Sequence, residues 1–371
     1  MITIVRDHHK QRGKNNPGFY KEGRNMEIKI ASDQDEQKWD EIVERAPNGE
    51  LFHTWRWLKT IEKYSLQKKG GMQSRGNLYP IFLREKEKIV GIFPLFLFKT
   101  PIITSCYSPP SNVDTLYLGP LFPEIETLLP AKKQIFLHDV QIIVDRFIRN
   151  DLKANYIQIS TPPGFEDCRF FKWAGYETET RYTAYLDLSI GTDLIWKNLN
   201  RSTRQSIEKA KKEGVSISEG NKEDIAFLHG LLKERDRIAS PREFLNSIFD
   251  TFSQGHLKVW IAKAGSERLS GIITVIYKDK VTFWIGAPKC SYKGTSPNEL
   301  LLWEAIRWSE ENNFKTFEIE GADDYSLFPF KRKFNAEPII YFQMKWFSPT
   351  LRILATLYNG IIKRKTNLLE T

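Results

Sequence analysis

The spacing of apolar residues changes period many times along the chain, and those changes mark out the elements. Residues 27–31 alternate as a short strand does, and residues 33–46 carry Trp39, Ile42 and Val43 at helical spacing. Residues 51–64 read as a second helix, which carries Trp55, Trp57 and Lys59. Two apolar runs, 79–83 and 89–98, flank Glu85-Lys86-Glu87-Lys88 and predict a hairpin. Pro80 cannot donate to a ladder, so its strand is expected at a sheet edge. Residues 100–122 are rich in Pro and Gly and hold two expected loops, Ser108-Pro109-Pro110-Ser111 and Tyr117-Leu118-Gly119-Pro120. A helix over 130–150 and strands over 156–160 and 178–188 complete the first series.

A similar series begins near Asp193. Residues 194–214 predict a basic helix, 215–218 a strand, and 222–240 and 241–254 two helices. The runs 257–264 and 269–277 form a second hairpin, with 281–287 as the next strand. Ser296-Pro297-Asn298-Glu299 then reads as a helix start. Ser296 offers a cap, Pro297 has a preset φ, and Glu299 would close a capping box. Leu301, Leu302, Ala305, Ile306 and Trp308 give that helix an apolar face, and Asn312-Asn313 ends it. Residues 314–320 alternate as a strand before a turn at Gly321, Asp323 and Asp324. Phe330-Lys331-Arg332-Lys333-Phe334 follows as a cationic loop between two aromatics, just past the carboxyl end of a strand. Loops in that position commonly carry chemistry in α/β folds. The two series have the same order of elements, a weak internal duplication with no residue-level repeat. Residues 348–367 predict an amphipathic tail helix.

At 371 residues, two domains are the natural expectation. The composition, 41% hydrophobic and 27% charged, supplies ample core. Three cysteines, Cys106, Cys168 and Cys290, lie far apart, which opposes a disulfide scaffold or zinc site and fits a reducing, cytoplasmic setting. Residues 1–25 hold +4 of the net charge of +9, so the remaining excess is small for a dedicated nucleic-acid binder. That segment is polar, basic and expected to be disordered, leaving Met26 as a candidate start. It has no apolar core of a signal peptide, and no apolar run is long enough for a bilayer span. No histidine pair has metal-ligand spacing, and no GxSxG or P-loop occurs, so metalloenzyme, hydrolase and kinase classes lose support.

Several of these stretches resemble the FemAB-type transferases, which are built of two tandem GNAT-like modules. The resemblance covers roughly residues 27–347. Leu51-Phe52-His53-Thr54-Trp55 with Lys59 resembles the family's aromatic-rich opening helix, whose lysine contacts the phosphates of a nucleotide-linked substrate. Tyr117-Leu118-Gly119-Pro120 resembles its Gly-Pro loop, and the run from Asn200-Arg201-Ser202-Thr203-Arg204 to Val215 its basic helix. Glu234-Arg235-Asp236-Arg237-Ile238 sits where the family has a substrate-binding arginine followed by glycine. That glycine is missing, so Arg235 and Arg237 both remain candidates. Gly321 with Phe330-Lys331 and Phe334 resembles the closing signature, in which the lysine stabilises a tetrahedral intermediate. Two departures stand out. The long coiled-coil arm of some members is absent, and only Gly294 occupies the region 291–296 where CoA-dependent GNATs have a Gly-rich pyrophosphate loop.

The resemblance implies an α/β protein of two tandem GNAT-like modules, with mixed sheets flanked by helices. The expected first module spans 26–180 and the second, carrying the active site, 181–347. The tail helix, 348–371, would pack back on the first module. It also implies acyl or aminoacyl transfer to an amine of a cell-envelope precursor, peptidoglycan or polysaccharide, that is nucleotide- or lipid-linked. The donor would be aminoacyl-tRNA or acyl-CoA, with no cofactor held permanently and no metal. The chain is expected to be a monomer, with possible membrane contact through the tail.

Acyl transfer needs a polarised carbonyl and an amine that can lose a proton. Lys331 would neutralise the oxyanion and the Phe330 carbonyl would orient it, although Lys331 with Arg332 and Lys333 also reads as a solvated basic run. Arg235 and Arg237 offer a bidentate grip on phosphate or carboxylate, or helix-surface pairs with Glu234 and Asp236. Arg204 and Lys211 could follow an RNA backbone or simply form a solvated face. Lys59, Tyr117 and Trp284 are further candidates for substrate contact. Glu320, with Glu318 on the same strand face, is a candidate proton acceptor. The rival class is a non-catalytic pair of modules holding RNA or anionic glycan in a basic groove.

Overall fold

The computed structural model describes residues 26–69, 72–235, 237–288 and 290–353. The basic segment 1–25 and the tail beyond Ile353 lie outside the described residues. The first half runs β1 (Met26–Ile30), α1 (Glu36–Arg45), α2 (Trp55–Tyr64), the small ribbon β2 (Leu66–Lys69) and β3 (Met72–Arg75), then β4 (Asn77–Glu85), β5 (Lys88–Lys99) and β6 (Thr104–Ser108). It continues with α3 (Pro130–Arg146), β7 (Tyr156–Ser160), α4 (Arg169–Trp173) and β8 (Glu177–Asp187). The second half runs α5 (Thr192–Asn198), α6 (Arg201–Lys212), β9 (Val215–Glu219), α7 (Lys222–Lys233), α8 (Arg242–Phe252), β10 (Leu257–Ala264), β11 (Glu267–Tyr277) and β12 (Lys280–Gly286). It closes with α9 (Pro297–Glu311), β13 (Thr316–Ile319), α10 (Phe328–Lys331) and β14 (Glu337–Phe347).

Twelve of these strands form one mixed sheet in the order β1-β4-β5-β6-β7-β14-β8-β13-β12-β11-β10-β9. Read from both edges inward, the order is a palindrome: β1 answers β9, β4 answers β10, β6 answers β12 and β7 answers β13. The parallel pairs β6–β7 and β12–β13 occupy equivalent places, each bridged by one long helix, α3 or α9. At the centre the halves exchange their last strands. β14 pairs with β7 of the first half, and β8 pairs with β13 of the second. The expected boundary at 180/181 falls inside β8.

Helices α1, α2, α7 and α8 share one face of the sheet, where a single core spans both halves. Trp57 packs edge-on against Trp284 at 5.1 Å and against Phe52 at 4.9 Å, with Phe244 and Tyr341 in the same cluster. A large side chain buried in this way contributes about 1.5–3 kcal/mol, so this cluster is a principal weld between the halves. On the other face the cores stay separate: α3 and α4 cover the first half, while α5, α6 and α9 cover the second.

Three expectations change. Pro80 does not lie on an edge strand, because β1 pairs outside β4. The β1 register ends at Ile30 opposite Ile81, so Pro80 meets only the chain beyond it, accepting from the Ala31 N–H at 2.7 Å. The basic helix over 194–214 is two helices, broken where Leu199 and Asn200 take extended backbone. Ser296 and Glu299 form no side-chain cap on α9. β14 and β6, unmarked by any clean alternation, are additional strands.

Candidate active site

β13 ends at Ile319, and the chain turns at Gly321 into a loop that leads to α10. Gly321 has φ +70°, and a Cβ there would stand 2.8 Å from the Lys331 Nζ. Only glycine serves both the left-handed turn and the close passage of the ammonium. Lys331 is 9% exposed, and its ammonium makes no hydrogen bond or ion pair among the described residues. Burial draws its pKa down to about 8, against the opposing pull of Glu320, Asp324 and Glu318. Glu320 is 7% exposed, its Oε1 has no partner, and burial with the nearby Glu318 holds its pKa well above the ordinary carboxylate range. An ammonium that releases its proton easily and a carboxyl that keeps its own therefore face one corner.

The neighbouring Glu318 differs completely. Its side chain is fully buried and accepts from Tyr117 OH at 2.8 Å, Thr183 Oγ1 at 2.7 Å, Lys280 Nζ at 2.7 Å and Thr282 Oγ1 at 3.1 Å. Lys280 also donates to Glu50 Oε1 at 2.6 Å and to Tyr185 OH at 3.3 Å. Burial opposes charge on Lys280, but Glu318 and Glu50 outweigh it and hold its pKa well above normal. Burial raises Glu50 to about 7, with Lys280 resisting. His53 accepts the Glu50 N–H at Nδ1, so its Nε2 carries the proton and donates to the Leu118 carbonyl at 3.1 Å. Burial lowers its pKa to about 4.

The other candidates scatter. Tyr117 is a strut to Glu318 with no exposed surface. Trp284 belongs to the shared core and donates its indole N–H to the Asp114 carbonyl, so substrate contact gives way to packing. Arg204 is also corrected. Its Nη1 donates to the carbonyls of Lys197 and Leu199 at 2.6 Å and to that of Trp196 at 3.3 Å, so the guanidinium caps α5. Lys211 pairs with Glu304 at 2.7 Å. Lys59 pairs with Glu62 at 2.7 Å and Asp33 at 3.6 Å, on the outer side of α2. Phe330 packs on Phe334 at 5.6 Å, and its carbonyl accepts from the Arg332 N–H. Arg237 reaches Ser326 at 3.4 Å, on the loop before Lys331, whereas Arg235 is exposed and its guanidinium makes no hydrogen bond or ion pair among the described residues. The arrangement thus brings Lys331, Glu320 and Arg237 to one place and leaves Lys59 elsewhere. Lys280, Glu50 and Asp114 gave no signal in the sequence, since a lysine within a strand pattern reads as surface.

The start of α9 is closed. Tyr292 and Thr295 exchange backbone bonds of 3.0 and 2.9 Å around Lys293-Gly294, both at positive φ. Ser206 receives the Ser296 N–H at 3.4 Å, Pro297 has no N–H, and the buried Glu299 pairs with Lys333 in the first turn. Among the described residues there is no cluster fit to hold a metal ion, and no helix is long and apolar enough to cross a membrane.

No curated protein matches the chain in sequence. The family model for the acetyltransferase (GNAT) domain matches residues 197–332. Among solved structures, FemX is 15% identical with a TM-score of 0.62, covering 89% of this chain and 99% of its own. A tandem GNAT protein from the clavulanic acid biosynthesis pathway is 9% identical, with a TM-score of 0.53 and coverage of 87% and 98%. The C-terminal domain of a putative lysylphosphatidylglycerol synthetase from Agrobacterium fabrum is 11% identical, with a TM-score of 0.50 and coverage of 89% and 96%. Residues 197–332 match the model of the acetyltransferase (GNAT) domain, and the fold of the whole chain is similar to that of FemX and of the tandem GNAT protein.

Proposed function

We propose that the protein transfers an aminoacyl group from an activated ester, of the aminoacyl-tRNA kind, to an amine on a cell-envelope precursor. The observation that carries this reading is the buried, unpartnered Lys331 ammonium beside the unpartnered Glu320 carboxyl. A buried cation without a counter-ion is costly, and such strain is usual where charge develops in a reaction. The acceptor amine attacks the ester carbonyl, and Lys331 stabilises the resulting oxyanion. The ionised form of Glu320 takes the proton that the amine sheds, the ester C–O bond breaks, and Glu320 passes that proton to the leaving hydroxyl oxygen. Arg237, next to this corner, would hold a phosphate or carboxylate of the acceptor.

The choice of donor rests on α9. A helix N-terminus with free N–H groups is a ready anion site. Here the Ser296 and Glu299 N–H groups are taken within the protein, Pro297 has none, and a carboxylate sits in the first turn, a poor seat for the pyrophosphate of acyl-CoA. The proposed setting at the envelope agrees with the lysylphosphatidylglycerol synthetase domain among the structural neighbours. In the test, purified protein receives a pool of radiolabelled aminoacyl-tRNA, or acetyl-CoA, with a nucleotide-linked muropeptide bearing a free amine. Label should reach the amine from the tRNA pool only, and Lys331→Met should cut turnover about 10²–10³-fold without lowering the Tm. Full turnover by that variant, or transfer from acetyl-CoA alone, would overturn the reading.

A further inference from the structure

The chemistry above uses Glu320 and Lys331, yet a buried ionic group joining Lys280, Glu50 and Glu318 lies one strand repeat away. It draws on both halves: Glu50 and Tyr117 from the first, Thr183 and Tyr185 from the exchanged strand β8, and Lys280, Thr282 and Glu318 from the second. Glu318 lies in β13 and Glu320 just past its end, and alternation along extended chain puts residues two apart on one side at about 7 Å spacing. We propose that Glu318, braced by Lys280 and Glu50, is a positioning residue that holds the proton on Glu320 and so sets the pH range of the transfer reaction.

The geometry supports this in three ways. Every partner of Glu318 is a donor, so its oxygens are all committed as acceptors and cannot turn toward substrate. Lys280 is shared with Glu50, so Glu318 does not have the ammonium to itself. The interior between the carboxyls excludes water, since Glu318 has no exposed surface and Glu320 only 7%. The other titratable groups acting on Glu320 are Lys331 from α10, Lys280 from β12, Glu50 from the first half, Tyr341 from β14 and Tyr117 from its loop. Lys331 opposes the effect more strongly than Lys280 does, and it has its own lowered affinity for protons. The first half of the chain therefore reaches the chemistry of the second through Glu50 and Tyr117.

The inference rests on the proposed role of Glu320, and its test has an arm independent of activity. Carboxyl carbon NMR of glutamate-labelled protein, assigned with Glu320→Gln, reads the Glu320 titration directly. In Glu318→Gln the midpoint should fall by about one pH unit, and the acidic limb of kcat should move down with it. Glu50→Gln keeps an acceptor for Lys280 and serves if the first variant folds poorly. It should shift both readouts the same way by a smaller amount. An unmoved Glu320 midpoint in both variants sinks the proposal, whatever their stability. Should no transfer be found in the wild type while the midpoint shifts as stated, the coupling holds and the assigned reaction fails.

Discussion

Lys331 shows how much one residue's meaning depends on its surroundings. In the sequence it stands in Phe330-Lys331-Arg332-Lys333-Phe334, and a run of cations reads as solvated surface as readily as chemistry. What separates Lys331 from its neighbours is invisible there: the turn at Gly321 lets the ammonium inward, while Lys333 pairs with Glu299 and Arg332 lies over the Phe328 ring. The environment carries a pH signature. In the unfolded chain this lysine titrates near 10.5, in the fold at about 8. Between those values the unfolded state binds the extra proton, so this group adds stability as the pH rises from 8 to 10.5. Below 8 the whole cost of a buried charge remains. Lys331→Met removes that cost, and thermal melts at pH 7 should show the variant more stable by roughly 2 kcal/mol, discounted for the accessible edge of the ammonium. The gap should close by pH 10. A variant equally stable at both pH values would mean that Lys331 is solvated.

At the scale of elements, the periodicity located the hairpins 77–99 and 257–277 and helices α1, α2, α3, α8 and α9 within a few residues, because each buries one regular face. It failed at β14, whose Ile339-Ile340-Tyr341-Phe342 is apolar in succession without a matching burial: Tyr341 is buried in the shared core and Phe342 packs on the core of the first half, while Ile340 is 46% exposed. The break between α5 and α6 also went unseen, though Asn200 at the N-cap position of α6 was its available mark. Arg204, expected along that helix as a ligand for anions, closes the break by taking three carbonyls of the preceding helix. Arg204→Met leaves those acceptors unpaired and should cost about 1–3 kcal/mol, lowering the Tm by several degrees. Because Nη1 of the guanidinium is committed to these carbonyls, the KM for either substrate should stay within about twofold. A rise in KM with an unchanged Tm would return Arg204 to the binding surface.

For the molecule as a whole, the succession of elements in the sequence carried the duplication, but not the exchange of strands that ties the copies together. Alternation says which face of a strand is apolar and nothing about which strand lies beside it. β8 and β14 are neighbours in space across a separation of 150 residues, and their pairing is what turns two half-sheets into one. The shared aromatic core and the Lys280 cluster lie over that same seam, so the interface is apolar, ionic and backbone-bonded at once. A fragment of residues 26–190 would lose β14, leave the inner edge of β7 open and expose Trp57 and Phe52 where Trp284 and Phe244 now pack. The intact chain should therefore unfold in one calorimetric transition with van't Hoff and calorimetric enthalpies in agreement. The fragment 26–190 should show no cooperative transition of its own and should associate on standing, while co-expression with residues 191–371 should recover a soluble pair. Two separate transitions in the intact chain, one of them reproduced by the fragment, would mean that the halves are independent domains and that the exchanged strands add little to their union.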